Sequence, residues 1–132
     1  MHSAAIHLLR RVRKVDAEAM GVSPARASAL SVLVFGGARS LSELAADERV
    51  TAATMSKLVA AMESEGLVSR YPDVNDARAI RIEATAKARR ILERGRAQRL
   101  DLLERLLEDA SEAEVEAVRV AAEVVERSLE SA

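Results

Sequence analysis

Residues 40–81 constrain the fold more than any other stretch of the chain. Ser40 and Glu43 stand at the Ser-x-x-Glu spacing of a capping box, so a helix is predicted to start at Leu41 with Leu44 and Ala45 on its inner face. Asp47, Glu48 and Arg49 then break the apolar pattern. Val50 is expected to plug the turn and Thr51 to cap a second helix, whose apolar positions are Met55, Leu58, Val59 and Met62. Ala52, Ala53, Ser56, Lys57 and Ala60 fall on the opposite face, with Thr54 at its edge. These side chains are small, polar or basic, and a helix carrying them fits a major groove, which admits one α-helix and offers donors, acceptors and thymine methyls. An ordinary solvated helix in a bundle has the same pattern, so the helix pair alone does not decide between them.

The next residues do more. Glu65 and Gly66 end the second helix, glycine being suited to the left-handed position just past a helix end. Two short β-type runs follow, residues 67–71 (LVSRY) and 79–83 (AIRIE), with Ile80 and Ile82 alternating against Arg81. Pro72, Asp73, Asn75 and Asp76 make the connection turn-rich and place Arg78 at its far side. A helix pair followed at once by such a hairpin is the layout of a winged helix-turn-helix, and an arginine on a narrow ribbon suits the negative potential of a minor groove.

Over residues 41–85 the sequence resembles the MarR family of bacterial transcription regulators. The run Glu65-Gly66-Leu67-Val68-Ser69-Arg70 and the Asp76-Ala77-Arg78 motif carry the likeness. Ala84 stands where the family usually has leucine, and Ala88 where a glycine is common. The resemblance implies that residues 51–64 form the recognition helix and that Arg78 is the wing arginine, oriented by Asp76. The DNA-binding candidates are Arg39, Ser40, Thr51, Ala53, Thr54, Ser56, Lys57, Arg70, Asp76 and Arg78. A short third strand at Arg39 and Ser40 is a further family expectation.

With 132 residues, one domain is expected: a mainly α fold with a small β-wing. The winged helix-turn-helix lobe is placed at residues 22–84, with dimerisation helices at 1–20 and 85–132. The chain is 49% hydrophobic but only 2% aromatic, so its core must be built from Leu, Val, Ile, Ala and Met. It has no cysteine, which excludes disulfides, thiol redox sensing and thiolate metal sites. His2 and His7 make a weak ligand set, and no nucleophile-base-acid set or phosphate loop is present, so no catalytic, metal or cofactor site is expected. No run approaches about 18 apolar residues and the N-terminus lacks a signal-peptide core, so a cytoplasmic protein without membrane contact is expected.

The net charge of −1 conceals a division. Residues 1–100 hold 17 Lys or Arg against 11 Asp or Glu, a balance of +6; residues 101–132 hold 3 against 10, a balance of −7. Phosphate contact needs only local positive surface, so the acidic end does not oppose DNA binding.

The flanks read as amphipathic helices. Ala5, Leu8, Leu9, Val12, Val15 and Ala19 recur at helical spacing beside Arg10, Arg11, Arg13 and Lys14. Gly21 closes that helix. Ser23 and Pro24 open a second, predicted to run to about Phe35 with Ala27, Leu30, Ser31, Val34 and Phe35 on its buried side before Gly36 and Gly37 stop it. After the wing, Thr85 is expected to cap a long helix reaching about Glu108. Ser111 and Glu114 repeat the capping box before a last stripe of Val115, Val118, Ala122, Val125 and Leu129. A helix of about 24 residues spans roughly 36 Å, more than a small domain covers, so a two-fold homodimer is expected to bury these stripes and present two recognition helices to successive major grooves. The function expected is that of a DNA-binding transcription regulator, a repressor acting on a pseudo-palindromic operator. The resemblance adds a small aromatic or phenolic effector bound beside the dimer helices. The alternative is a helical dimer that binds another protein and has lost DNA contact.

Overall fold

The capping residues explain where the chain changes direction. In the computed structural model, which describes residues 1–131, α1 (His2–Met20) ends at Gly21, whose φ of 65° is left-handed. Ser23 accepts a hydrogen bond from the Arg26 N–H at 3.3 Å and Pro24 occupies the first position of α2 (Pro24–Gly36), where its missing N–H costs nothing. Both halves of the Ser40/Glu43 capping box form at the start of α3 (Leu41–Asp47): Glu43 N–H donates to Ser40 Oγ at 3.1 Å and Ser40 N–H to Glu43 Oε2 at 3.0 Å. Thr51 caps α4 (Ala52–Ser64) through its side chain alone, its hydroxyl oxygen accepting from the Thr54 N–H at 3.1 Å.

The turn between α3 and α4 is a Schellman motif with an arginine in the position that favours glycine. Arg49 has φ 56°; its N–H reaches the Ala46 carbonyl and the Val50 N–H reaches the Ala45 carbonyl. Gly66, at φ 73°, repeats the motif after α4, with its N–H on Glu63 O and the Leu67 N–H on Met62 O. Val50 does not plug the turn as expected. It is exposed, because Schellman hydrogen bonds close the corner and leave its side chain pointing outward.

Three antiparallel strands follow the order β1-β3-β2: β1 (Arg39–Ser40), β2 (Val68–Pro72) and β3 (Ile80–Ala84). The register pairs Arg39 with Ile82, and Arg70 with the same Ile82 from the other side. Ile82 is buried while Ile80, two residues nearer the tip, is exposed, since the hairpin has by then run past the core. The short third strand is present. Thr85 joins sheet to helix: its hydroxyl donates to Gly66 O at 2.6 Å, and α5 (Ala86–Leu106) begins one residue later.

The core contains no buried polar or charged side chain among the described residues. Leu30, Leu33, Leu44, Met55, Val59, Met62, Leu67 and Ile82 are fully buried at its centre. The inner face of α2 is Ala29, Leu30 and Leu33, with Ala27, Ser31 and Val34 only half-buried, and Phe35 is 81% exposed. The sequence-based face was thus rotated by part of a turn. Ala27, Leu30, Ser31 and Val34 satisfy helical spacing as well as Ala29, Leu30 and Leu33 do, and only the position of β3 and α3 against α2 selects between the two stripes. At Ala88 and Gly95, α5 is buried; a side-chain Cβ at Gly95 would lie 2.7 Å from Met20 Sδ, so the missing side chain is what lets α1 lie close to α5.

Contacts divide the chain into two units, Met1–Arg99 and Leu100–Ala132. The second contains the end of α5 and α6 (Glu112–Glu130), opened by the Ser111/Glu114 capping box. No residue of α6 is buried, and Val115, Val118, Val125 and Leu129 all face solvent. The Ser111 backbone N–H, and then its hydroxyl, hold the Glu114 carboxyl below its ordinary range. Arg119 likewise lowers that of Glu116. No single described helix is long and apolar enough to cross a membrane.

Leu44 is the side chain through which α3 is anchored to the core, so Leu44→Ala is expected to cost about 2–5 kcal/mol of stability, read as a lower urea midpoint with an unchanged slope. Protonating Glu114 removes the negative charge that strengthens its hydrogen bond from the Ser111 N–H. Because its carboxyl is held below the ordinary value, the capping contribution is complete at neutral pH and is lost as the pH falls through that lowered value. Acid titration followed by amide shifts at Ser111 should show this transition in the wild type and not in Glu114→Gln.

Candidate nucleic-acid interface

The burial of one side of α4 determines what its other side can do. Met55, Val59 and Met62 are fully buried, and this turns Ala52, Ala53, Thr54, Ser56, Lys57 and Ala60 to solvent. The exposed face therefore has five alanine or short hydroxyl positions beside one lysine, low enough in profile to approach base edges. Thr51 sits at its start with its hydroxyl donating to Thr54 Oγ1 at 2.9 Å, so both threonines are held by the cap.

The wing is built with equal economy. Between β2 and β3 the Asp73 N–H donates to Ala79 O at 2.9 Å and the Ala79 N–H to Asp76 O at 3.0 Å. Asp73 Oδ1 accepts from the Asn75 N–H at 2.8 Å, and Asp76 Oδ1 from the Arg78 N–H at 3.0 Å. Asp76 thus orders the backbone that presents Arg78, whose side chain is exposed.

The ten expected site residues separate into three groups. Ala53, Ser56, Lys57 and Arg78 are exposed, with Thr54 beside them. Ser40, Thr51 and Asp76 have their side-chain oxygens engaged in capping and turn hydrogen bonds. Arg39 and Arg70 carry ion pairs: Arg39 Nε lies 3.2 Å from Asp47 Oδ2 while its Nη1 donates to Gly36 O at 2.6 Å, and Arg70 Nε lies 3.2 Å from Glu63 Oε2. Two further residues enter the architecture that spacing alone did not single out. Arg49 takes the left-handed position of the helix-turn-helix corner, and Arg81 reaches from β3 to the start of α3 and to the wing. In the sequence Arg81 is only the polar member of an alternating strand; its partners lie 38 residues away at Glu43 and across the hairpin at Asp73.

A cavity of about 310 Å³ lies between α1, α2 and α5, lined by apolar Met20, Val34, Phe35 and Leu92 and by Ser31 and Arg96 among its polar groups. Arg99 and Asp16 form an ion pair at its edge, 2.5 Å apart. Among the described residues no group of three His, Cys, Asp or Glu is placed to hold a metal.

The MarR family model matches residues 22–80. A transcriptional regulator from Thermotoga maritima shares the fold with a TM-score of 0.83 at 21% identity, over 98% of this chain and 93% of that one. A MarR family protein from Bacillus stearothermophilus follows with 0.80 at 26%, over 97% and 89%. An S. aureus MepR mutant bound to an oligodeoxyribonucleotide gives 0.78 at 19%, over 97% and 94%. No curated protein matches the sequence.

Because Thr51 holds the first turn of α4, Thr51→Ala should destabilise the protein by about 1 kcal/mol in urea melts, and Thr51→Ser should restore most of that loss. The mainly α architecture with its three-stranded wing, the match over residues 22–80 and the shared fold agree: the chain has a winged helix-turn-helix fold, and its residues 22–80 are similar to the MarR family.

Proposed function

We propose that this chain is a transcription regulator that binds double-stranded DNA as a homodimer and represses from a pseudo-palindromic operator. The observation that carries the reading is the low, solvent-facing side of α4, together with an exposed arginine at the tip of an ordered wing. α4 enters the major groove, where Ala53, Thr54, Ser56 and Lys57 meet base edges and phosphate; Arg78 enters the flanking minor groove. The ordered wing supports Arg78 as the wing contact. The related MepR mutant solved with an oligodeoxyribonucleotide supports the same mode of use for this fold.

Residues 22–84 form the DNA-binding lobe in this reading, and residues 1–20 and 85–132 the dimerisation helices. Leu8, Leu9, Leu103, Leu106, Val118 and Val125 are all exposed in the isolated chain, a set of apolar stripes at helical spacing that a second copy would cover. The cavity between α1, α2 and α5 takes a small aromatic or phenolic effector in this scheme. Binding there releases the operator by changing the spacing of the two recognition helices. Arg39 and Arg70, already ion-paired, reach phosphate only by exchanging partners.

A fluorescence titration with the DNA upstream of the protein's own gene, across a salt series and against scrambled duplex, tests the central claim. Specific binding with a two-fold footprint is expected; no preference for that DNA at any salt would favour a protein partner instead. Arg78→Glu should weaken binding at least tenfold while leaving the melting temperature in place, and Lys57→Ala should reduce the steepness of the salt dependence by about one contact. Val125→Glu places a charge in the α6 stripe and should shift the protein from dimer to monomer in light scattering. A variant still dimeric would place the interface elsewhere.

A further inference from the structure

We propose that Arg81 is a positioning residue that sets the wing against α3 and thereby places Arg78 for its groove contact. The proposal rests on the DNA-binding reading for its consequence, but the clamp itself is a property of the free protein.

Arg81 is the second residue of β3, opposite Ser40 on β1 and Tyr71 on β2. Its guanidinium makes three contacts on three different segments. Nη1 donates to Glu43 Oε2 at 3.2 Å, in the first turn of α3; Nη2 donates to Ala38 O at 2.8 Å, in the loop after α2; and Nε faces Asp73 Oδ2 at 3.6 Å, at the base of the wing tip. Its side chain is 27% exposed and that of Asp73 22%, so this pair is partly withdrawn from solvent and less screened than a surface pair, whereas Glu43 is 52% exposed.

Each partner has a second task. Glu43 also accepts from the Ser40 N–H as half of the capping box, and Asp73 also accepts from the Asn75 N–H inside the tip. A continuous set of hydrogen bonds and charges therefore runs from the cap of α3, through Arg81, to the turn that presents Arg78. A hairpin has no core of its own beyond Ile82, and Ile80 is already exposed, so little apolar packing fixes the angle of the tip. The planar five-donor fork of arginine supplies what packing does not, and a lysine, with a single nitrogen, cannot span the three acceptors. Arg81 is thus spent on the protein's own carboxylates, whereas Arg78 is presented to solvent. Two arginines three residues apart have opposite roles.

The test has two parts. In the free protein, amide exchange at Asp73, whose N–H closes the tip onto Ala79, should be at least tenfold faster in Arg81→Met than in the wild type, with core amides of α2 and α5 unchanged; Arg81→Lys should lie between. With the upstream duplex, Arg78→Ala should weaken binding at least tenfold in the wild-type background but less than threefold in the Arg81→Met background, because a mispositioned wing has no Arg78 contact left to lose. Equal losses in both backgrounds, or unchanged Asp73 exchange, would overturn the proposal. A salt dependence that still falls on Arg81→Met when Arg78 is already alanine would make Arg81 a phosphate ligand and overturn it too. Should Arg81→Met fail to fold, Asp73→Asn keeps the acceptor for Asn75 while removing the charge that faces Arg81, and the same two measurements decide. If the wild type binds no DNA, the functional reading falls and the exchange measurement alone judges the clamp.

Discussion

Everything α4 presents to solvent depends on the burial of its Met55, Val59 and Met62. A helix that commits one stripe to a core has no choice about what it turns outward, and here it turns out alanine, threonine, serine and lysine. The core that receives the stripe is almost wholly aliphatic and contains no buried charge among the described residues. Its stability therefore comes from apolar area and packing, while polar groups are kept for caps, corners and the wing.

Arginine does most of the polar joining. Arg39 holds the end of α2 through Gly36 O and Arg81 the loop after it through Ala38 O, and each also holds a carboxylate of α3, Asp47 and Glu43 respectively. Arg26 adds a contact from α2 to Glu65 at the end of α4, 2.5 Å long. These exposed or half-exposed pairs contribute modestly to stability. They matter as geometry, since they connect segments that meet with few apolar side chains between them. The excess of basic residues over residues 1–100 is accordingly not a free positive surface: part of it is cancelled locally by ion pairs, and among the described residues Lys57 and Arg78 stand outside those pairs.

Much of the fold was legible in the sequence because its signals are local. Ser40, Thr51 and Ser111 announce helix starts by chemistry that operates over three residues, and Gly21 and Gly66 announce ends by their freedom to take positive φ. The hairpin bounds came within a residue for the same reason. The face of α2 was less legible: two overlapping stripes have equal helical spacing, and Phe35 looks like a core residue until the folded chain leaves it outside. Val50 failed similarly, its apolar side chain suggesting a plug where the corner is closed by backbone hydrogen bonds. Of the expected site, the outward residues of α4 could be read from periodicity, and Arg78 from its place in the hairpin. The ion pairs that occupy Arg39, Arg70 and Arg81 could not, because their partners are neighbours only in the folded chain.

The sequence by itself determined the order of elements, the helix boundaries, the side of α4 that turns outward and the apolar stripes on α1 and α6, because each follows from periods and caps that span a few residues. Only the tertiary structure decided which arginines are free. A guanidinium is equally basic wherever it stands in the sequence; whether it meets a carboxylate, a carbonyl or solvent depends on which distant segments the burial of the aliphatic core brings alongside it.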